Sequence, residues 1–197
     1  MKFAFILDPI ARLDPGHDTT VALMEAAQAQ GHTVWITDLS QLSIVNSRAW
    51  AYVQLVELDP VTLVDQQWQI PEPWYRLGET QFCALEDLDA VFMRTDPPVT
   101  TAYLYGTYIL DYIDPTKTRV INNPQGIRAA NEKMYALQFQ SVIPTTIVSA
   151  SKAQILDFVQ QQGRAVLKPL GGKAGEGILF LEAGDRNLNS LLEISTH

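Results

Sequence analysis

The chain has 197 residues, 47% of them hydrophobic and 18% charged, with a formal net charge of −8. That is enough for one large or two small domains with a buried core, and with no basic run it excludes a sequence-independent nucleic-acid binder, so any bound phosphate has to be met by a few focused cations. A single cysteine, Cys83, and three scattered histidines give neither a disulfide nor zinc-ligand spacing, and the apolar start that soon meets Asp8 and Pro9 is too brief for a signal or membrane segment; a cytoplasmic protein is expected.

Residues 2–7 form a continuous apolar run, and residues 18–30 place Val21, Met24 and Ala27 at helical spacing before Gly31. A further apolar run at 33–37 completes a strand–helix–strand unit, which normally makes a right-handed crossover between parallel strands. The intervening loop, 8–17, is longer than such loops need to be and lies outside the carboxyl end of a strand, where open α/β sheets bind ligands. Asp8 is therefore a candidate contact, with an ordinary surface loop as the plainer reading. Residues 42–58 alternate as a hairpin around Asn46-Ser47, whereas 59–85, carrying Pro60, Pro71 and Pro73, read as a short strand plus an irregular excursion.

Residues 89–93 predict another buried strand, which ends in Arg94-Thr95-Asp96-Pro97-Pro98. At that carboxyl strand end Arg94 could fork onto a substrate carboxylate, or could pair with Asp96 to shape a turn. Thr100 or Thr101 caps an aromatic helix running to about Tyr112, and 119–121 form a last strand before Asn122-Asn123-Pro124. There the composition changes. Residues 1–122 are expected to form a Rossmann-like α/β domain and 123–197 a small α+β unit. In the second, Ala130-Asn131-Glu132-Lys133 leads a helix through Gln140, a strand covers 145–148, and Ser151 caps a helix that ends near Gly163; a final helix starts near Asp185.

Residues 165–181, AVLKPLGGKAGEGILFL, read as two apolar strands joined by a loop with four glycines and a lysine. Glycines let successive N–H groups approach one anion, and Lys168 and Lys173 add compact charge, so a polyphosphate is the natural ligand. Neither a GxxxxGK[ST] loop nor a GxGxxG turn is present, and the loop leads into a strand rather than a helix. A flap closing over phosphates and a mobile hairpin tip both remain open from the loop alone.

An ordered set of short stretches resembles the bacterial glutathione synthetases of the ATP-grasp superfamily. They are Asp8-Pro9-Ile10, Met93-Arg94-Thr95-Asp96-Pro97-Pro98, Thr107-Tyr108-Ile109-Leu110, Asn122-Asn123-Pro124-Gln125, Arg128 with Asn131-Glu132-Lys133, and Leu167-Lys168-Pro169-Leu170. The resemblance implies a pre-ATP-grasp domain followed by the first α+β subdomain of an ATP-grasp fold, incomplete. It implies that Lys133 and Lys168 reach the phosphates of ATP, that the loop with Gly171, Gly172, Lys173, Gly175 and Gly177 covers them, and that Arg94, Asp96 and Asp8 lie where the peptide substrate approaches.

The implied chemistry is phosphorylation of the C-terminal carboxylate of γ-glutamylcysteine and attack of the glycine amine on the acyl phosphate, giving glutathione, ADP and phosphate. No protein nucleophile is required, which agrees with the lack of any Ser/His/Asp or Cys/His set and leaves Cys83 as a packed thiol. Family members continue beyond His197 with a half that supplies the Mg2+ ligands, so no metal ligand is expected in this chain and no ligation by it alone. It reads as a natural truncation, a split gene or a fragment, and a homo-oligomer is compatible with the complete enzyme. A different ATP-grasp carboxylate–amine ligase, or a non-catalytic nucleotide- or peptide-binding remnant, is the alternative.

Overall fold

The computed structural model describes residues 1–131, 133–172 and 175–195. By its contacts the chain divides into two units, Met1–Ala129 and Ala130–His197. The first is organised around β1 (Lys2–Ile6), which the crossover helix α1 (Thr19–Ala29) connects to its parallel neighbour β2 (Thr33–Thr37). Asp18 caps α1 by accepting the Thr20 N–H at 2.6 Å, and Gly31, at φ +77°, turns the chain out of it. β1 is buried on both faces because each face meets a different layer. Ala4 and Ile6 pack with Val53, Leu85 and Leu110, whereas Phe5 and Leu7 pack with Val21 and Met24 of α1.

β3 (Leu42–Val45) and β4 (Arg48–Leu58) form the expected hairpin, with Asn46 and Ser47 at φ 50° and 58°, the left-handed pair that matches strand twist in a two-residue turn. The excursion after β4 is more ordered than its prolines suggest. A small hairpin, β5 (Thr62–Val64) and β6 (Gln67–Gln69), turns through Asp65 and Gln66, also at positive φ, and the ten-residue β7 (Tyr75–Ala84) then pairs antiparallel with β4. β7 carries a bulge, since Gln54 faces Thr80 but Val56 faces Leu77. Tyr52, Gln54 and Val56 thereby share one face with Phe82, Thr80 and Leu77.

β8 (Ala90–Met93) lies parallel on the other side of β1, and α2 (Thr101–Leu110) leads to β9 (Arg119–Ile121), parallel to β8. Strand order in the main sheet is therefore β3-β4-β2-β1-β8-β9, with β7 on β4: a parallel centre with an antiparallel ribbon at one side. Thr100 caps α2 through the Tyr103 N–H. α3 (Pro124–Ala129) is held on α2 by Arg128, which donates to Thr107 Oγ1 (3.1 Å) and Asp111 Oδ2 (2.6 Å) and lies 4.4 Å over the Tyr108 ring.

In the second unit α4 (Lys152–Gln162), capped by Ser151 and ended by Gly163 at φ +76°, packs with α5 (Leu188–Ser195) on one face of the antiparallel pair β10 (Arg164–Leu167) and β11 (Leu179–Glu182). Ile155, Val159, Leu181, Leu188 and Leu192 form its core. Two expectations fail here. In place of a helix through Gln140 the described residues form a single 3-10 turn, Tyr135–Gln138, and residues 145–148 join no strand. Tyr135, Phe139, Val142, Ile147 and Val148 are all exposed, so no apolar face holds either segment in regular structure. Among the described residues no helix is long and apolar enough to cross a membrane.

Candidate functional site

In the second unit the glycine loop joins β10 to β11. Register pairs Val166 with Phe180 and Leu167 with Leu179, so the odd-numbered residues Ala165, Leu167, Leu179 and Leu181 face the helices. The other face is open: Val166 is 48% and Phe180 81% exposed, and Lys168, next beyond β10, is exposed as well. The glycines differ in what they do. Gly175 and Gly177 sit at φ +83° and +69°, and a Cβ on Gly177 would come 2.7 Å from Pro169 Cγ, whereas one on Gly171 would meet nothing within 4 Å. A Cβ on Gly172 would stand 3.1 Å from the Glu176 carbonyl.

Lys133 comes to this loop by a local device. Asn131 Oδ1 accepts the backbone N–H groups of Lys133 (3.2 Å) and Met134 (3.0 Å), which folds the segment back. The Lys133 ammonium then donates to the carbonyls of Gly172 (2.9 Å) and Leu170 (3.3 Å). Lys133, Gly171 and Gly172 are thus brought together, and Lys168 lies at the root of the same loop; Lys173 lies outside the described residues.

In the first unit Asp8 and Asp96 are brought together, whereas the Arg94 side chain is held elsewhere. Arg94 donates its backbone N–H to the Ile6 carbonyl (2.8 Å), Nε–H to Thr20 Oγ1 (3.1 Å) and Nη2–H to Thr19 Oγ1 (2.7 Å). Its side chain is therefore anchored on the first turn of α1, and an ion pair with Asp96 is not among its contacts. Asp96 instead donates its backbone N–H to Asp8 Oδ2 (3.0 Å), tying the chain after β8 to the chain after β1. Burial pushes the nearby Tyr103 phenol above its ordinary value, the Asp96 carboxylate adds to this, and Arg94 opposes it.

Asp8 also borders a cleft of about 400 Å3 at the carboxyl ends of β1 and β2, closed from the side by the shared face of β4 and β7 with Tyr52, Gln54 and Leu77. The sequence reading did not include Asp38, Tyr52 or Gln54 in any site. The alternation in 50–58 put Tyr52 and Gln54 on one face, but the partner strand that makes this face a wall was not legible.

The family model for the prokaryotic glutathione synthetase N-terminal domain matches residues 1–128, and that for the prokaryotic glutathione synthetase ATP-grasp domain matches 132–197. The chain belongs to the prokaryotic glutathione synthetase family. Over 196 residues it is 66% identical to the glutathione synthetase of Thermosynechococcus vestitus and 65% to that of Nostoc sp., covering all of this chain but 62% and 60% of those proteins. The enzyme of that name from Salmonella typhimurium is 33% identical, with 59% covered. The chain thus spans about 60% of the length of the curated relatives it matches.

Among solved structures the fold is similar to D-cycloserine synthetase DcsG, with a TM-score of 0.56 at 18% identity over 99% of this chain and 57% of that one. It is also similar to the ATP-grasp ligase PsnB complexed with precursor peptide PsnA2 and AMPPNP, with a TM-score of 0.51 at 14% identity over 98% of this chain and 61% of that one. The glutathione synthetase family and the ATP-grasp fold agree with the expected architecture.

Proposed function

We propose that the chain is the N-terminal part of a cytoplasmic glutathione synthetase, which ligates γ-glutamylcysteine to glycine with ATP. Bound ATP supplies the phosphoryl group that activates the peptide's C-terminal carboxylate. The observation that carries the reading is the Lys133 ammonium held against the carbonyls of Leu170 and Gly172, in a loop rooted at exposed Lys168. A phosphate oxygen competes well with a neutral carbonyl for an ammonium donor, because the charged pair is the stronger hydrogen bond. Lys133 is thereby poised to exchange loop carbonyls for phosphate, and Lys168 adds a second charge at a fixed strand end.

The open face beside Lys168 suits the rest of the nucleotide. Val166 and Phe180 are register partners, two residues from Lys168 along β10, or about 6–7 Å. That spacing is comparable with the reach of a ribose, so the base lies on the apolar pair and the phosphates at the lysine. Glycines at positive φ let the loop backbone, with Lys173, come down over the phosphates. Arg94, Asp96 and Asp8 are assigned to the peptide side. For Mg2+ the fit is poor: among the described residues no group of three or more His, Cys, Asp and Glu side chains is placed to hold a metal ion, so no ligand is assigned to it here.

The test is a chimera joining residues 1–195 to the remaining C-terminal part of the Thermosynechococcus vestitus relative. ADP release that requires both γ-glutamylcysteine and glycine is expected from the chimera and not from the 197-residue chain. In the chimera, Lys168→Ala and Lys133→Ala should each raise the Kd for ATP roughly tenfold to a hundredfold, the range for a lost hydrogen bond to a charged group. A chimera that folds but releases no ADP with these two substrates overturns the reading.

A further inference from the structure

We propose that Asn131 is a positioning residue for nucleotide binding, which sets the direction from which Lys133 meets the phosphates without touching them itself, an inference that rests on the ligase reading above. Three consecutive backbone N–H groups converge on this one residue. Its Oδ1 accepts those of Lys133 at 3.2 Å and Met134 at 3.0 Å, and its carbonyl accepts that of Tyr135 at 2.7 Å. The arrangement is that of an N-cap, with Lys133 held two residues into the turn that follows.

Burial does not fix that direction. None of residues 133–139 is buried, and Tyr135 and Phe139, whose rings meet edge-on at 5.8 Å, stay 40% and 50% exposed. The 3-10 turn Tyr135–Gln138 is a single turn, too short to be stable by its own hydrogen bonds. The carbonyls that the Lys133 ammonium reaches, those of Leu170 and Gly172, lie 37 and 39 residues further along the chain. A lysine stem is flexible, so its ammonium stays by such a distant partner only if the backbone launches it that way.

An ammonium already aimed at the loop loses little freedom when a phosphate oxygen replaces the two carbonyls, so the cap contributes to affinity through a residue it does not itself replace. Asparagine suits this role better than aspartate. The two cap a turn equally well, but a carboxylate two residues from Lys133 would repel the phosphate that the ammonium has to attract.

Two measurements test the inference. In the 197-residue chain, competitive labelling with acetic anhydride reads how far hydrogen bonding protects the Lys133 amine. Asn131→Ala should raise its labelling rate about threefold or more, and Asn131→Ser, which restores a neutral cap, should bring the rate back. In the chimera, Asn131→Ala should raise the Kd for ATP about fivefold, as expected for a lost cap, and Asn131→Ser should restore most of it. In a Lys133→Ala background the same change should cost less than about twofold, because a residue that acts only through Lys133 has nothing left to position. A cap with a merely structural role would weaken ATP equally in both backgrounds. Equal losses in the two backgrounds, unchanged labelling of Lys133, or failure of Asn131→Ser to restore either readout overturns the inference. A chimera that releases ADP with both substrates yet shows equal losses removes the role of Asn131 alone and leaves the ligase reading standing, whereas a chimera that binds no ATP overturns both.

Discussion

Arg94 gives its backbone N–H to the end of β1 and two guanidinium hydrogens to Thr19 and Thr20, so one residue links three stretches of chain. At the level of sequence it was a substrate residue or half of an Arg94–Asp96 pair; its observed anchoring on α1 adds a structural role to the first and replaces the second. Lysine donates from one compact nitrogen, so it cannot span the separate Nε and Nη2 positions from which arginine meets the two hydroxyls. Arg94→Lys should therefore lower stability by about 1 kcal/mol, the net worth of one such hydrogen bond, read as a shift of the urea midpoint at unchanged m. An unchanged midpoint would mean that the two threonine contacts contribute nothing. Gly177 is similarly double: its positive φ serves the loop and the Pro169 ring crowds the place of a Cβ, and each requirement by itself favours glycine.

The start of β4 is joined to the segments before β8 and β9 by Glu86, whose side chain is 8% exposed and meets Arg48 and Lys117, the latter at 3.1 Å. The hydrogen bond from Lys117, and then that from Arg48, hold its carboxyl below the usual carboxylate range. Because the folded value is depressed, the stabilisation is present above the unfolded value of about 4.3 and is lost as pH falls through the folded one. Glu86→Gln should lower the urea midpoint at pH 7 and converge on the parent as the medium is acidified below pH 4; a constant gap would show that the charge is not responsible. Such ties join residues far apart in sequence, which is why they are illegible there. Where one face carries a periodic apolar pattern, as in α1 or the β3–β4 hairpin, the sequence alone was sufficient. β7 was missed because its bulge shifts the alternation and its exposed residues mix apolar Leu77 and Phe82 with polar Arg76, Glu79 and Thr80. The segment 130–140 was misread because helical composition without a surface to bury against does not make a helix. The site followed the same division: Lys133, Lys168 and the glycines were visible as local chemistry, whereas the cleft wall depends on which strand pairs with β4.

Burial is distributed unevenly between the two units. In Met1–Ala129 the sheet is covered on both faces, with Ala4, Val53, Leu85, Val91 and Leu110 on one side and Phe5, Val21, Met24, Val34 and Val56 on the other, all between 0% and 2% exposed. Among the described residues of Ala130–His197 one face of β10 and β11 is covered, and the buried core comes down to Ile155, Val159, Leu181, Leu188 and Leu192. A short unit with only five buried aliphatic side chains among its described residues has little margin of stability. The residues 1–129 expressed alone should unfold cooperatively in urea, with an m-value in proportion to their size. Residues 130–197 alone should give a shallow transition, because the face carrying Val166 and Phe180 is still bare. Adding the C-terminal part of the Thermosynechococcus vestitus relative should steepen that second transition if its sheet covers this face. Should residues 130–197 alone unfold as sharply as 1–129, the five-residue core is sufficient by itself, and the open face is a binding surface only, with no part in holding the unit together.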